Sequence, residues 1–293
     1  MQIWKGIFAL AIAFGLGMSV AGAQEVDTEL QAMFPDSIKQ SGVLRIGLSA
    51  PQPPFVLNDP DGGQNFGGMD ADLARAVAAK AGLNVEFRNL AFSGLLAALQ
   101  ANQVDVLWSG LLPSKDRLAV ANFVIYFRNP FGVLVPEGNP KNIQGVGDLC
   151  GLNVALVEGS TPPQMIVEER QAVCKEKNLP PINVTMYPNT VTCQLAIKSG
   201  QADAMVSAGA AMAYVAKTVE EGKTFDHVVD QEGLGGTVYF ADGVAVPTAN
   251  QQLLDAMQAG LQKIIDDGSY MEVLEKHGQQ EFAVTKATIN TFE

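Results

Sequence analysis

Histidine and cysteine are scarce in this chain. Two histidines and three cysteines stand among 293 residues. His227 and His277 show no spacing to Cys150, Cys174 or Cys193 that a zinc site uses. A Cys/His metal centre is therefore excluded, and both histidines are expected on solvated surface. Positive charge is also short: 19 Lys and Arg against 31 Asp and Glu leave a net charge of −12. Nucleic-acid binding needs a basic face, so that partner class is excluded. P-loop, catalytic-triad and metal motifs are missing, and no cofactor is expected. Beyond the N-terminus no apolar run reaches the ~20 residues that a membrane-spanning helix needs.

What is present is a large stock of core-forming residues. Apolar side chains make up 47% of the chain, enough for one large domain or two medium ones. The N-terminus, "MQIWKGIFALAIAFGLGMSVAGAQ", has Lys5, an apolar run from Ile7 to Val20, and small residues at Ala21 and Ala23. This is the pattern of an export signal cleaved after Ala23. Residues 1–23 are thus expected to be removed, taking −12 to −13 with the loss of Lys5. The mature chain is expected to be soluble and periplasmic, in a compartment that permits disulfides.

Residues 24–40 read as a variable leader. From there the pattern alternates. "GVLRIGLSA" (42–50) is strand-like and "PQPPF" breaks it. "MDADLARAVAAKAG" has helical spacing, with Asp70 as its N-cap and Gly82 at its end. "NVEFRNL" is a strand, Ser93 is placed to cap "GLLAALQAN", and "VDVLWSG" is a strand in which Trp108 is expected to be core. Ser114 caps a short helix through Arg117. After "NPFGVLVPEGNP" (129–140) the alternation restarts: strand 151–159, a helix with Thr161 at its cap and Pro162 and Pro163 in its first turn, strand "INVTMYP", helix "TVTCQLAIKSG", strand "ADAMVSAG", helix "AAMAYVAKTVEEG". Strand 238–247 and two helices close the chain. Two such α/β units predict an α/β fold with largely parallel sheets, and ligands bind such sheets at the carboxyl ends of their strands.

The segments "GVLRIGLSAPQPPF", "DPDGGQNFGGMDADLARAVA", "LLAALQANQVDVLWSGLLPSKDR", "DLCGLNVALVEGST", "LAIKSGQADAMV" and "GVAVPTANQQLLDAMQAGLQKIIDDGSYMEVLEKHG", in this order, resemble the family-3 extracellular solute-binding proteins. The likeness covers about Gly42 to Gly278. It implies a two-lobed clamshell: 24–130 with 242–293 as one lobe, 131–241 as the other, and hinge strands near Asn129–Phe131 and Tyr239–Asp242. It implies a monomer that closes on a small carboxylate-bearing ligand and delivers it to an ABC permease in the inner membrane. It also pairs Cys150 with Cys174 and leaves Cys193, on an apolar helix face, as a buried free thiol.

The same resemblance places the ligand on Arg117, Ser160, Thr161, Gly110, Phe92, Ser109, Leu112, Gln52, Ser49 and Ala208. A guanidinium offers a planar, permanently charged fork for a carboxylate at Arg117. Ser160 and Thr161 open a helix, whose free amides favour an anion. Phe92 is either an apolar wall for the ligand or a hydrophobic staple beside Ser93. Relatives carry an acid at Ser49 and an aromatic at Gln52, so an aromatic sandwich is not expected here. Leu112 and Ala208 stand where amino-acid binders keep a hydroxyl and an aspartate for the ligand's ammonium. An ammonium without an acceptor is disfavoured. The ligand is then an organic acid, an opine or a modified amino acid, unless Ser207, Glu158 or Asp203 supplies the polarity. A cyclohexadienyl-dehydratase-like enzyme, with Glu158 as general acid, is the alternative on the same scaffold. A detached sensory domain is a third reading.

Overall fold

The computed structural model describes residues 26–229 and 239–290. The expected signal segment and its cleavage after Ala23 lie outside them. In chain order the elements are α1 (Thr28–Met33), α2 (Asp36–Ser41), β1 (Val43–Leu48), α3 (Met69–Lys80), β2 (Asn84–Asn89), α4 (Leu95–Gln100), β3 (Val106–Leu107), α5 (Lys115–Leu118) and β4 (Ala121–Pro136). There follow β5 (Asn153–Val157), α6 (Thr161–Glu176), β6 (Asn183–Tyr187), α7 (Thr190–Lys198), β7 (Ala204–Ala208), α8 (Gly209–Thr218), β8 (Phe225–Val229), β9 (Tyr239–Pro247), α9 (Gln251–Asp266), α10 (Ser269–Lys276) and β10 (Ala283–Ile289).

The strands join in the order β2-β1-β3-β9-β4-β7-β5-β6, with β10 and β8 also on β4. β1 runs parallel to β2 and β3, and β5 runs parallel to β6 and β7. β4 ties the two parallel sets together. Its residues Ala121 to Pro130 pair antiparallel with β9, ending at Pro130 opposite Tyr239. From Phe131, opposite Ala208, it pairs with β7, and Gly132 to Pro136 pair with β8. The partners change between two adjacent residues. One strand therefore serves two halves of the sheet.

Helical periodicity explains the packing of the first half. In α9, Leu253, Met257, Leu261 and Ile264 repeat at turn spacing and are fully buried. The helix lies against α3, whose Val77 fits where Gly260 has no side chain; a Cβ there would stand 2.7 Å from Val77 Cγ1. Tyr270 of α10 fixes the C-terminal strand: its hydroxyl donates to the Tyr126 carbonyl at 2.7 Å and accepts from the Val284 amide at 3.0 Å.

Several expectations are corrected. Within the expected variable leader, α1 and α2 with the residues between them bury Leu30, Phe34 and Ile38, one turn apart, and Asp27 caps α1 by accepting from the Leu30 amide at 2.8 Å. Asp70 does not cap α3. Gly68 does, and Asp70 is buried in the first turn. Ser93 does not cap α4 either, because a short 3₁₀ turn, Phe92–Gly94, precedes it with Gly94 at the cap. Ser160 rather than Thr161 holds the cap position of α6, without a side-chain bond. His277 is half-buried against Asp72, 2.8 Å away, not free in solvent.

Cys150 and Cys174 form a disulfide, with Cα atoms 5.7 Å apart, tying the approach to β5 to the end of α6. Cys193 is buried and free, and burial pushes its thiol up to about 12.

Candidate functional site

A narrow cleft, part of it open to solvent, lies between the two halves of the sheet. Ser49, Pro51, Gln52 and Phe92 line it from the first half. Val157, Ser160, Asn189, Thr190 and Ser207 line it from the second. Each of these sits at or just beyond the carboxyl end of a strand: β1, β2, β5, β6 or β7. The lining is polar but uncharged, with one aromatic face.

The arginine singled out in the sequence lies behind this lining. α5 is only one turn, and Ser114 opens it by accepting from the Arg117 amide at 3.4 Å. That turn throws the Arg117 side chain inward, where 2% of the residue is exposed. One terminal nitrogen donates to the Leu112 carbonyl at 2.6 Å and the other to the Gly159 carbonyl at 2.9 Å, so the guanidinium reaches across from the first half to the second. Its Nε is buried with no partner, and its Cζ stands 5.6 Å from the centre of the Phe92 ring. Burial pushes the guanidinium down to about 10, opposed by the negative charge of Asp242.

The other sequence-selected residues divide into lining and support. Ser49, Gln52, Phe92 and Ser160 face the cleft. Ser109 is fully buried: its hydroxyl accepts from the Ser49 amide at 2.9 Å and donates to Gln52 Oε1 at 3.0 Å, and so holds the loop after β1. Gly110 has φ +52°, and a Cβ there would stand 2.9 Å from the Phe55 ring. The same residue donates its amide to Asp70 at 2.6 Å. Leu112 is buried and contributes its carbonyl to Arg117. Ala208 is buried at the end of β7, and its neighbour Ser207 lines the cleft instead. Thr161 begins α6 directly after Ser160. Glu158 is exposed. Asp203 is occupied elsewhere, accepting from the Asn153 amide and pairing with Lys141.

Asn189 and Thr190 escaped the sequence reading. Asn189 caps α7 in a reciprocal box with Thr192. The motif N-T-V-T directly after a strand carries that signal. Asp242 was also missed as a chemical group. It is fully buried on β9, accepts from Asn129 Nδ2 at 2.8 Å, and leaves Oδ1 buried without a partner. Asn129 uses its other end to accept from the Ala210 amide at 3.1 Å, so the pair joins β9, β4 and the start of α8.

The sequence profile of the bacterial extracellular solute-binding proteins, family 3, matches residues 44–280. The chain belongs to this family. The arginine-binding protein ArgT of Corynebacterium glutamicum is 30% identical over 265 residues, 89% of this chain and 83% of that protein. The L-cystine-binding protein TcyJ of Escherichia coli K12 is 25% identical over 94% of both chains. Among solved structures, an ancestral amino-acid-binding protein described as a precursor of cyclohexadienyl dehydratase superposes with a TM-score of 0.71. The two share 28% identity over 83% of this chain and 98% of that one. An ancestral arginine-binding protein bound to arginine gives 0.68, with 31% identity over 80% and 98%. The fold is that of the periplasmic binding proteins, and the role is solute binding. Among the described residues no helix is long and apolar enough to cross a membrane.

Proposed function

We propose that this family-3 protein binds a small carboxylate-bearing solute, an amino acid or a close relative of one, in the cleft between its two halves and delivers it to an ABC permease. Arg117 carries the reading. It is a buried cation at the cleft, and it bonds a main-chain carbonyl of the opposite half. A carboxylate offers the guanidinium a stronger partner than that carbonyl. Residues 24–130 with 242–293 form one lobe and 131–241 the other; the change of partners along β4 between Pro130 and Phe131 supports this division. The first turns of α6 and α7, at Ser160 and Thr190, add helix N-termini to the anion side. The protein acts as a monomer in the periplasm, exported by a signal cleaved after Ala23.

Relatives named for arginine make guanidinium-bearing amino acids the first ligands to try. The apolar Leu112 and Ala208 favour a second group, acids without a free ammonium. The likeness to a dehydratase precursor keeps turnover of a carboxylated ring open to assay; formation of an aromatic product from prephenate or arogenate would replace the binding role. The direct test is mass spectrometry of the small molecule released when the purified protein is denatured. A carboxylate-bearing compound is expected. A ligand with no acidic group would overturn the reading.

A further inference from the structure

Two carboxamide side chains line the cleft, one from each half: Gln52 in the loop after β1 and Asn189 at the start of α7. Each is held by its oxygen. Ser109 Oγ accepts from the Ser49 amide at 2.9 Å, and its own hydrogen goes to Gln52 Oε1 at 3.0 Å. The Gln52 backbone is fixed as well, exchanging bonds of 2.8 and 2.9 Å with Val56. Asn189 Oδ1 accepts from the Thr192 amide at 3.0 Å. A main-chain amide only donates, so the oxygen is the end of Asn189 turned into the helix. The Asn189 amide in turn donates to the Thr192 hydroxyl at 3.3 Å, which closes the cap. Among the described residues, neither Gln52 Nε2 nor Asn189 Nδ2 meets an acceptor, and neither is fully buried.

We infer that Gln52 and Asn189 read the far end of the solute and select a hydrogen-bond acceptor there, a second carboxylate or a carboxamide oxygen. The inference rests on the proposed binding role, with Arg117 on the first carboxylate, and names the class of side chain that follows it. An amide NH2 offers donors and no acceptor. With their oxygens already engaged, Gln52 and Asn189 present donors from opposite walls of one cleft. An oxygen of the solute accepts from both. An ammonium or guanidinium carries donors alone, and enclosing it against these nitrogens leaves donors facing donors with their hydration lost. A site built to hydrogen-bond one group rejects the analogue that lacks it far more strongly than an apolar pocket does. The cleft therefore disfavours lysine and arginine, although relatives are named for arginine. Because the donors come from both halves, the acceptor also stabilises their approach.

Calorimetric titration of the intact protein with two matched series tests this. One series is glutamine, norleucine and lysine; the other, without an ammonium, is glutarate and pentanoate. In the series that binds, glutamine or glutarate is expected to bind at least roughly tenfold more tightly than its partners. Gln52→Glu and Asn189→Asp keep the oxygen that Ser109 and Thr192 hold and replace the NH2 by a second oxygen. Each is expected to weaken glutamine or glutarate by roughly tenfold or more and to strengthen lysine, with little change in melting temperature. Preference for a probe without the second acceptor overturns the inference, as do variants that rank the probes as wild type does, or failure of all five to bind. The small molecule released on denaturation judges the clamp separately. An acid with an apolar or cationic far end would sink this inference and leave Arg117 as the clamp; a molecule with no acidic group would sink the clamp itself.

Discussion

At the scale of single residues, function turns on where two neighbours of the cleft place their backbones. Gly159 gives its carbonyl to Arg117 and carries φ +77°, a region that costs an L side chain roughly 1 kcal/mol or more. A Cβ on it would stand 2.8 Å from Ser93 Cα, backbone that cannot swing away as a side chain would. Gly159→Ala should therefore hold the two halves apart. The expected result is at least tenfold weaker ligand binding with only a small fall in melting temperature, read by calorimetry and thermal denaturation. Equal affinity would mean that the halves close without Gly159 meeting Ser93. Arg117 itself was legible in "WSGLLPSKDR", because the Ser114 cap and the motif fix its direction. Its two carbonyl bonds were not, since Gly159 is 42 residues away and only folding brings it there.

At the scale of elements, the disulfide joins the approach to β5 to α6, the helix whose first turn borders the cleft. It closes a loop of 24 residues, for which the chain-entropy account gives roughly 3 kcal/mol. Replacing Cys150 and Cys174 together by serine should lower unfolding free energy by about that amount in denaturant titration. A loss well under 1 kcal/mol would mean that the unfolded chain already holds the two ends close. Periodic elements were the readable ones: α3, α7, α9 and the parallel strands follow from apolar spacing and from turn residues such as Gly82 and Gly200. Short or unusual elements were not. α1 and α2 have six residues each and are helical because Leu30, Phe34 and Ile38 find a core to enter. β4 is 16 residues long and carries Pro130 in its middle, a signal that locally argues against a strand. Asp70 and Ser93 looked like caps by type, yet tertiary partners claimed Asp70 and a 3₁₀ turn displaced Ser93.

At the scale of the whole molecule, β4 and β9 are the strands about which, on the proposed function, two halves close on a solute. Such closure is a shift between open and closed populations, driven only by what the ligand binds better in the closed state. On the proposed function Arg117 would supply that difference, since its guanidinium bonds main-chain carbonyls of both halves. Calorimetric titration of the protein with the proteinogenic amino acids, each paired with its decarboxylated amine, tests this most directly. At least one amino acid, or its deaminated acid titrated alongside, is expected to bind, the matching amine is not, and Arg117→Met is expected to weaken binding by roughly tenfold to a hundredfold, the worth of a charged hydrogen bond. An amine that binds as tightly as its parent acid, or an Arg117→Met protein with unchanged affinity, would contradict it.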